Sequence, residues 1–296
     1  MVAAAVLAPA AAEAQQSSAY RERVDTSVTI EKGGTLSVSV YSGRVNVTGG
    51  TGSSVRIRGT VERGEMELRA RGTSVTISTQ PEGPRGGRAD LDITVPTGTR
   101  VVLDGFSAPF SVRGVKGEAK VESLSGSVVV SDAIGRVNVG SVSGSIQVSQ
   151  VKGDVRAEAV SGQVELTDID GDIEGESVSG RITMTGANSA SVRAETVSGS
   201  IGYSGTFEPA GNYIFKSHSG RLTMGLPPEA GAIVSLETFS GNVDSDFPVT
   251  LESGTTRSGH ESRFEFRIGN GRARIVAETF SGDIRIQRST TRDNRE

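Results

Sequence analysis

The 296-residue sequence contains no cysteine and no tryptophan, only two histidines, and aromatic residues at just 4% of positions. Without cysteine there can be no disulfide, no thiolate metal site and no lipidated N-terminal cysteine. The two histidines, His218 and His260, stand apart in the chain, and a lone histidine does not make a metal site. Beyond the first fourteen residues, no apolar run approaches the roughly 18 residues that are needed to span a bilayer.

The net charge is −4, so the chain lacks the basic surplus that a nucleic-acid partner requires. The charge is uneven, with 12 acids and 6 bases over residues 118–200, and 9 arginines and 6 acids from Arg257 to the end. A solvated surface is the favoured interpretation. A charged flank that contacts an anionic component of the cell envelope is the alternative.

The first residues are short and apolar, and Ala12-Glu13-Ala14 fits the small-x-small pattern of a signal-peptide cleavage site. We therefore predict a signal peptide at 1–14, a flexible segment at 15–24, and an exported protein that is periplasmic, cell-surface or secreted. The basic n-region of a signal peptide is missing. Either the true start lies upstream or the signal is weak.

The dipeptide Ser-Gly recurs every eighteen residues in the middle of the chain, beginning at Ser125-Gly126, Ser143-Gly144, Ser161-Gly162 and Ser179-Gly180. It continues at Ser198-Gly199, and with looser spacing at Ser219, Ser240 and Ser281, and an earlier copy stands at Ser42-Gly43. A constant period near twenty residues is typical of a stacked repeat architecture.

Within each repeat, polar and β-branched apolar residues alternate, as in a half-buried strand, and a glycine about every nine residues indicates a turn. We therefore predict an all-β, single-stranded parallel β-solenoid (β-helix-like) with about 18–21 residues per coil and two main strands per coil. The solenoid domain should span 25–288, followed by a disordered tail at 289–296. The handedness and the oligomeric state remain open.

Equivalent residues of successive coils should form interior columns. Three columns are Val128/Ile146/Val164/Ile182, Val130/Val148/Leu166/Met184 and Val137/Val155/Ile173/Val192. A fourth predicted interior column precedes each Ser-Gly and contains Leu124, Val142, Val160, Val178 and Val197. In longer coils an aromatic residue takes that position, and we predict that Tyr41, Phe106, Phe239 and Phe280 fill a wider core, with His218 at the core or its rim.

The candidate chemical groups are few. We interpret the repeated serines as turn residues that hydrogen-bond the local backbone, because a nucleophilic serine needs a base within reach. The predicted structural turns are Ser125, Gly126, Ser143, Gly144, Ser161, Gly162, Ser179, Gly180, Ser198 and Gly199. A weak candidate cation cluster contains Asp168, Asp170, Asp172, Glu174 and Glu176, although its spacing does not match an EF-hand loop. A solvated acidic stripe is the favoured interpretation, and no catalytic residue or cofactor is predicted.

The Ser-Gly-x-[Val/Ile]-x-[Val/Leu] coils, the lead-in Val95-Pro96 and the closing run from Glu278 to Ile284 resemble the bacterial "putative adhesin" family of exported β-strand-repeat proteins. The resemblance covers most of residues 25–288. It implies the solenoid fold. The family is a domain of unknown function, so the resemblance supplies no catalytic residues.

These observations favour a non-enzymatic, exported, adhesin-like interaction module of the cell surface or envelope. Its partner would be a glycan, lipid or protein ligand, and neither nucleic acid nor a transmembrane span is expected. One alternative is an envelope-stress or regulatory sensor that binds lipid or peptide. Another is a carbohydrate-active enzyme on a β-helix scaffold, which would need paired carboxylates in a cleft.

Overall fold

The computed structural model describes residues 21–81, 87–227, 231–247, 256–258, 261–269 and 272–289. In these residues the regular structure consists of 26 β-strands, without any helix. Predicted segment 1–14, residues 15–20 and residues 290–296 of the predicted tail lie outside the described residues. The first strand begins at Arg21, so residues 21–24 of the segment expected to be flexible are part of a strand.

The strands fall into three groups along the chain. The N-terminal group comprises β1 (Arg21–Thr29), β2 (Thr35–Gly50), β3 (Ser54–Glu62), β4 (Gly64–Arg71), β5 (Ser74–Pro81), β6 (Arg88–Pro96), β7 (Arg100–Ser107) and β8 (Phe110–Arg113). The central group comprises β9 (Ala119–Ser123), β10 (Val128–Ile134), β11 (Val137–Ser141), β12 (Ile146–Lys152), β13 (Val155–Ala159), β14 (Val164–Asp170), β15 (Ile173–Ser177), β16 (Ile182–Ala187), β17 (Ser191–Thr196), β18 (Ile201–Gly205), β19 (Asn212–Ser219) and β20 (Leu222–Leu226). The C-terminal group comprises β21 (Ala232–Ser240), β22 (Val243–Ser245), β23 (Thr256–Ser258), β24 (Glu261–Ile268), β25 (Ala273–Ser281) and β26 (Ile284–Arg288).

The central strands alternate between two faces, which we call sheet A and sheet B. In sheet A, even-numbered strands from β8 to β20 pair in parallel, each with the strand two places later. In sheet B, the odd-numbered strands from β7 to β19 do the same. One coil therefore contributes one strand to each sheet, which confirms the predicted parallel β-solenoid.

Strands of sheet A bend at a residue that has no partner in the parallel pairing. Ser131 pairs with Ser149 and Ala133 with Val151, whereas Asp132, at φ 55°, lies between the paired residues. Gln150 and Asp168 occupy the same place one and two coils later, at φ 55° and 54°. This left-handed residue turns the strand around the edge of the coil, so the cross-section closes without a long loop.

The first three predicted columns form the core. Ile146 pairs directly with Val164, and Val164 pairs with Ile182 in the next coil. Every member of these three columns is at most 2% exposed. Successive side chains of a strand point to opposite faces, so the column residues face the interior and the residues between them face solvent.

The ends depart from a simple sequential stack. At the N-terminal end, β2 lies between β7/β8 on one side and β5/β6 on the other. At the C-terminal end, β25/β26 lie between β19/β20 and β21/β22. Antiparallel strands then cover the outermost coils: β3 and β1 follow β6, β4 follows β5, and β24 and β23 follow β21.

Candidate functional site

The fourth predicted column, which precedes each Ser-Gly, lies outside the core. Val142 is 40% exposed, Val160 43% and Val178 46%. The prediction that this column is interior was therefore wrong. These aliphatic side chains stand at a corner of the coil where sheet B ends and the chain bends towards sheet A.

The correction has a local cause, because the alternation of strand residues stops at this corner. Ser141 is buried, Val142 and Ser143 are both exposed, and Gly144 is buried again. Because two consecutive residues point outward, the alternation of buried and exposed positions shifts by one residue at the corner. A prediction that continues the strand alternation through the Ser-Gly dipeptide therefore places the residue before the serine on the wrong side.

The interior of the corner holds a hydroxyl instead of an aliphatic group. The N–H of Gly144 donates to Ser141 Oγ at 2.9 Å, and that hydroxyl lies 3.4 Å from the Gly126 carbonyl oxygen, to which it donates. Ser123 and Ser177 accept from Gly126 and Gly180 in the same way, each at 2.8 Å. The buried hydroxyl thus comes from two residues before the repeated serine in most coils, although Ala159 takes that place before Ser161. The predicted turn residues Ser125, Ser143, Ser161, Ser179 and Ser198 are all exposed at the bends.

Glycine is required in the dipeptide by close approach of successive coils. A Cβ added to Gly162 would lie 1.9 Å from the Gly144 carbonyl oxygen, and one added to Gly144 would lie 1.9 Å from that of Gly126. The φ angles at these glycines are not in the left-handed region. A positive φ therefore accounts for glycines of the other corner of the coil, such as Gly135 at φ 120° and Gly153 at φ 141°, and not for Gly126, Gly144 and Gly162.

The exposed side chains at this corner form one line along the solenoid, which we call the ridge. Its strands pair in consecutive coils, so neighbouring members are about 4.8 Å apart and the ten members extend over about 43 Å. In spatial order the ridge consists of Tyr41, Phe106, Leu124, Val142, Val160, Val178, Val197, His218, Phe280 and Phe239.

Both ends of the ridge are aromatic. Tyr41 stacks on Phe106 with ring centroids 5.1 Å apart, and Phe280 stacks between His218 and Phe239 at 5.0 and 4.9 Å. These rings are stacked surface groups, so the prediction that the four aromatic residues fill the core was wrong.

The longer coils do contain larger core residues, but at other positions. Tyr203, Tyr213 and Phe215 are at most 2% exposed and pack together where the repeat spacing loosens. The Tyr213 hydroxyl donates to the Ser189 carbonyl oxygen at 2.7 Å. A buried phenol needs such a partner, so this cluster has a structural role.

A line of acidic residues runs beside the ridge on sheet B, and we call it the acidic ladder. Its residues stand two positions before the ridge residues, so both lines face outward and buried positions separate them. Pairing sets Glu158 opposite Glu176, and Glu176 opposite Glu195. The ladder consists of Asp104, Glu122, Glu158, Glu176, Glu195, Glu278 and Glu237, interrupted by Gly140 and by Lys216.

Several ladder carboxylates pair with bases that lie two residues earlier in the same strand. Lys120 contacts Glu122 at 2.8 Å, Arg193 contacts Glu195 at 2.7 Å, and Arg156 contacts Glu158 and Glu176. These bases lie on the side of the ladder away from the ridge. The carboxylates keep their other side towards the ridge.

Two ladder positions show the electrostatic consequence of this crowding. Burial raises the pKa of Asp104 above its ordinary value, and the Glu122 carboxylate adds to the rise while Lys120 opposes it. Burial also raises the pKa of Glu176, against the opposing effect of Arg156, and three neighbouring carboxylates add to the rise. The charged form of each group is therefore disfavoured, and an added cation at the ladder would stabilise it.

The ridge and the acidic ladder are the two walls of a continuous groove of about 1430 Å³. Its floor is the column of small and hydroxyl residues that includes Ser141, Ala159 and Ser177. Thr196 and Thr279 belong to the same floor column, and among the described residues their hydroxyl oxygens are buried without a hydrogen-bond partner. Sequence reasoning missed the groove, although its signal was present: an apolar residue before Ser-Gly and an acid two positions earlier recur with the period of the coil.

The structure does not bring the candidate cation cluster together. Glu174 and Glu176 lie on sheet B and pair with Arg156, whereas Asp168 and Asp170 lie at the far end of β14, where Asp170 accepts from Asn188 at 3.0 Å. Among the residues that the structure describes, no three histidine, cysteine or carboxylate side chains converge as a metal site would require. Asp172 lies between β14 and β15, where its backbone N–H donates to Asp154 Oδ1 at 3.4 Å, so the five residues do not form one cluster.

The described part of the chain also contains no helix that is long and apolar enough to cross a membrane. Of the two histidines, His218 belongs to the ridge, and His260 lies outside the described residues.

Comparison with known proteins gives a family and two similar structures. The chain matches no functionally curated protein. A crystal structure described as a "putative cell adhesion protein" from Clostridium sporogenes shares 14% identity, with a TM-score of 0.23, over 90% of this chain and 100% of that one. A crystal structure described as a "putative adhesin" from Bacteroides fragilis shares 10% identity, with a TM-score of 0.41, over 90% of this chain and 97% of that one.

The family result covers nearly the whole solenoid. The family model described as Toastrack DUF4097 matches residues 11–287. This match agrees with the expected membership in a family of Ser-Gly coils whose function is unknown. The repeated corner, with its buried hydroxyl and close-packed glycine, lies within the matched range, and the chain belongs to the Toastrack DUF4097 family.

Proposed function

We propose that this protein is a non-enzymatic, adhesin-like binding module that is exported to the cell surface or envelope and holds its ligand along the groove. The observation that carries the proposal is the ridge. Ten ridge residues form an unbroken line, and the nine apolar ones among them are 38–50% exposed. Soluble monomers rarely expose a long contiguous apolar surface unless it is an interaction site.

The repetition of the groove favours binding over catalysis. A catalytic site brings different groups to one point, where a nucleophile, a base and a charge stabiliser surround the reacting atoms. Here the same residue types recur from Leu124 beside Glu122 to Val197 beside Glu195, with Gly140 beside Val142 as the single exception. Such an arrangement suits an extended ligand that makes similar contacts at every coil.

The proposed export depends on the sequence. The apolar start, the Ala12-Glu13-Ala14 pattern and the absence of cysteine are compatible with passage into an extracytoplasmic compartment. A regulatory sensor would use the same groove and differ only in what its ligand triggers.

A binding screen tests this proposal. The full chain would be screened against purified glycans, lipid vesicles and envelope or matrix proteins, alongside the ridge variant Val142→Ser/Val160→Ser/Val178→Ser. The matched control is Ile134→Ser, because Ile134 is 46% exposed at a corner outside the groove.

We expect at least one ligand to bind the full chain and the control variant and to bind the ridge variant at least tenfold more weakly. Melting curves should show all three proteins folded, because the substituted side chains are half exposed. If every ligand that binds the chain is indifferent to the ridge substitutions, the groove is not the binding site and the proposal is wrong.

A further inference from the structure

The charge of the groove limits the chemistry of what can fill it. Seven lining residues are carboxylates, and the basic ones are Lys216 and the ridge residue His218. Lys216 is itself paired with the Glu278 carboxylate at 2.8 Å. The bases that neutralise other ladder residues, such as Arg193, approach from outside the groove. A ligand lying between the ladder and the ridge therefore meets an acidic wall along nearly its whole length.

Like-charge repulsion disfavours several occupants. A second copy of this chain would set one acidic ladder against another if the two grooves faced each other. An anionic lipid surface or a nucleic acid would meet the same opposition, because each presents closely spaced negative charges. Burial is the main cause of the raised pKa values of Asp104 and Glu176, and the neighbouring carboxylates add to both rises.

The ridge adds a second requirement, because it is apolar and runs parallel to the ladder. A ligand that satisfies both walls carries cations along one edge and apolar groups along the other, over about 43 Å. An extended polypeptide has this form when Lys or Arg alternates with aliphatic residues, since successive side chains of a strand point to opposite sides. About 12 extended residues cover about 40 Å.

Building on the proposed function, we propose that the groove binds an extended basic polypeptide segment in which Lys or Arg alternates with aliphatic residues. The cationic side chains would lie against Glu158, Glu176 and Glu195 in the central coils, and the aliphatic ones against Val142, Val160 and Val178. The aromatic groups at both ends of the ridge would contact the ends of the segment.

The test uses a labelled synthetic 12-residue peptide of alternating lysine and valine, whose binding to the full chain is measured by fluorescence anisotropy at low and high salt. Two control peptides replace valine by serine or lysine by glutamate. The protein variants are the ladder variant Glu158→Gln/Glu176→Gln/Glu195→Gln and the ridge variant Val142→Ser/Val160→Ser/Val178→Ser. Glu165→Gln and Ile134→Ser are the matched controls, since both residues lie outside the groove.

We expect the lysine–valine peptide to bind the full chain and both control variants, and to bind the ladder and ridge variants at least tenfold more weakly. The ladder variant should also lose most of the salt dependence. The lysine–serine peptide should bind at least tenfold more weakly than the lysine–valine peptide, and the glutamate–valine peptide should not bind.

Two outcomes overturn the inference in distinguishable ways. If the glutamate–valine peptide or an uncharged glycan binds as well as the lysine–valine peptide, and its binding depends on the ridge, the groove is a binding site but its ligand is not basic. If the lysine–valine peptide binds all variants equally, or does not bind, the inference is wrong. The proposed function also fails in that case only if the binding screen finds no ridge-dependent ligand.

Discussion

From Ala119 to Gly205, each strand pairs with the strand two places later in the chain, whereas at both ends a coil from elsewhere in the sequence is inserted. At the N-terminal end the inserted coil is β2, and at the C-terminal end it is β25/β26, which belongs to the last part of the chain. The central coils therefore depend on contacts between residues about 18 positions apart. The inserted coils at the ends depend on contacts between residues that are 39 to 65 positions apart.

This difference shows how the fold manages the open ends of a stacked sheet. An exposed parallel strand offers unpaired N–H and C=O groups to any other strand. Here antiparallel strands cover the outer coils, and the inserted coils tie the two ends of the chain into the stack. The ridge follows the same division, because it is aliphatic over the central coils and aromatic at both ends.

The largest expected difference between the two regions comes from removing one coil from each. Deleting residues 145–162 joins Gly144 to Gln163, and the remaining coils can pair in the original register because Val128, Ile146 and Val164 are equivalent. We expect this protein to fold with a modest loss of stability, since each repeat contacts only its neighbours. Removing residues 272–296 takes out the coil between β19/β20 and β21/β22. We expect that truncation to lower the free energy of unfolding by an amount comparable with the roughly 5–15 kcal/mol that stabilises a whole domain.

Denaturant unfolding and amide hydrogen exchange would measure both effects. The truncated chain should lose amide protection in β21 and β24, whose parallel support is β25. If the truncated chain kept that protection, or if the internal deletion abolished folding, the contrast between local and long-range encoding would be wrong.

The same contrast explains how much the sequence could predict. The parallel coils and the columns around Ile146 and Val164 follow from an 18-residue period, so they were predictable and are confirmed. The insertion of β2 and β25 could not be predicted, because Ser42 and Ser281 carry the same Ser-Gly motif as their neighbours and the motif does not specify spatial order. At the ridge, the prediction was wrong because Val160 follows the strand pattern of the sequence while the backbone has already turned the corner.

A smaller effect separates the inside of a central coil from its ridge. Val164 is fully buried, so Val164→Asp places an unpaired carboxylate in the core, and we expect a loss of about 4 kcal/mol or more. Val160 is 43% exposed, so Val160→Asp should change stability by less than about 1 kcal/mol. Urea denaturation of both variants would measure the difference. Equal destabilisation would indicate that Val160 is a core residue and would contradict the assignment of the ridge to the surface.

The smallest effect concerns the backbone contact that stacks the corners. In Gly162→Ala the new Cβ would lie 1.9 Å from the Gly144 carbonyl oxygen, so the two coils must separate, and we expect a loss of about 3 kcal/mol. Gly202→Ala is the matched control, because no atom lies within 4 Å of a Cβ there, and its effect should stay within about 0.5 kcal/mol. Both free energies of unfolding come from the same denaturant titration. A similar small cost at both sites would mean that the corners can separate without loss, and the Ser-Gly period would then need another explanation than close stacking.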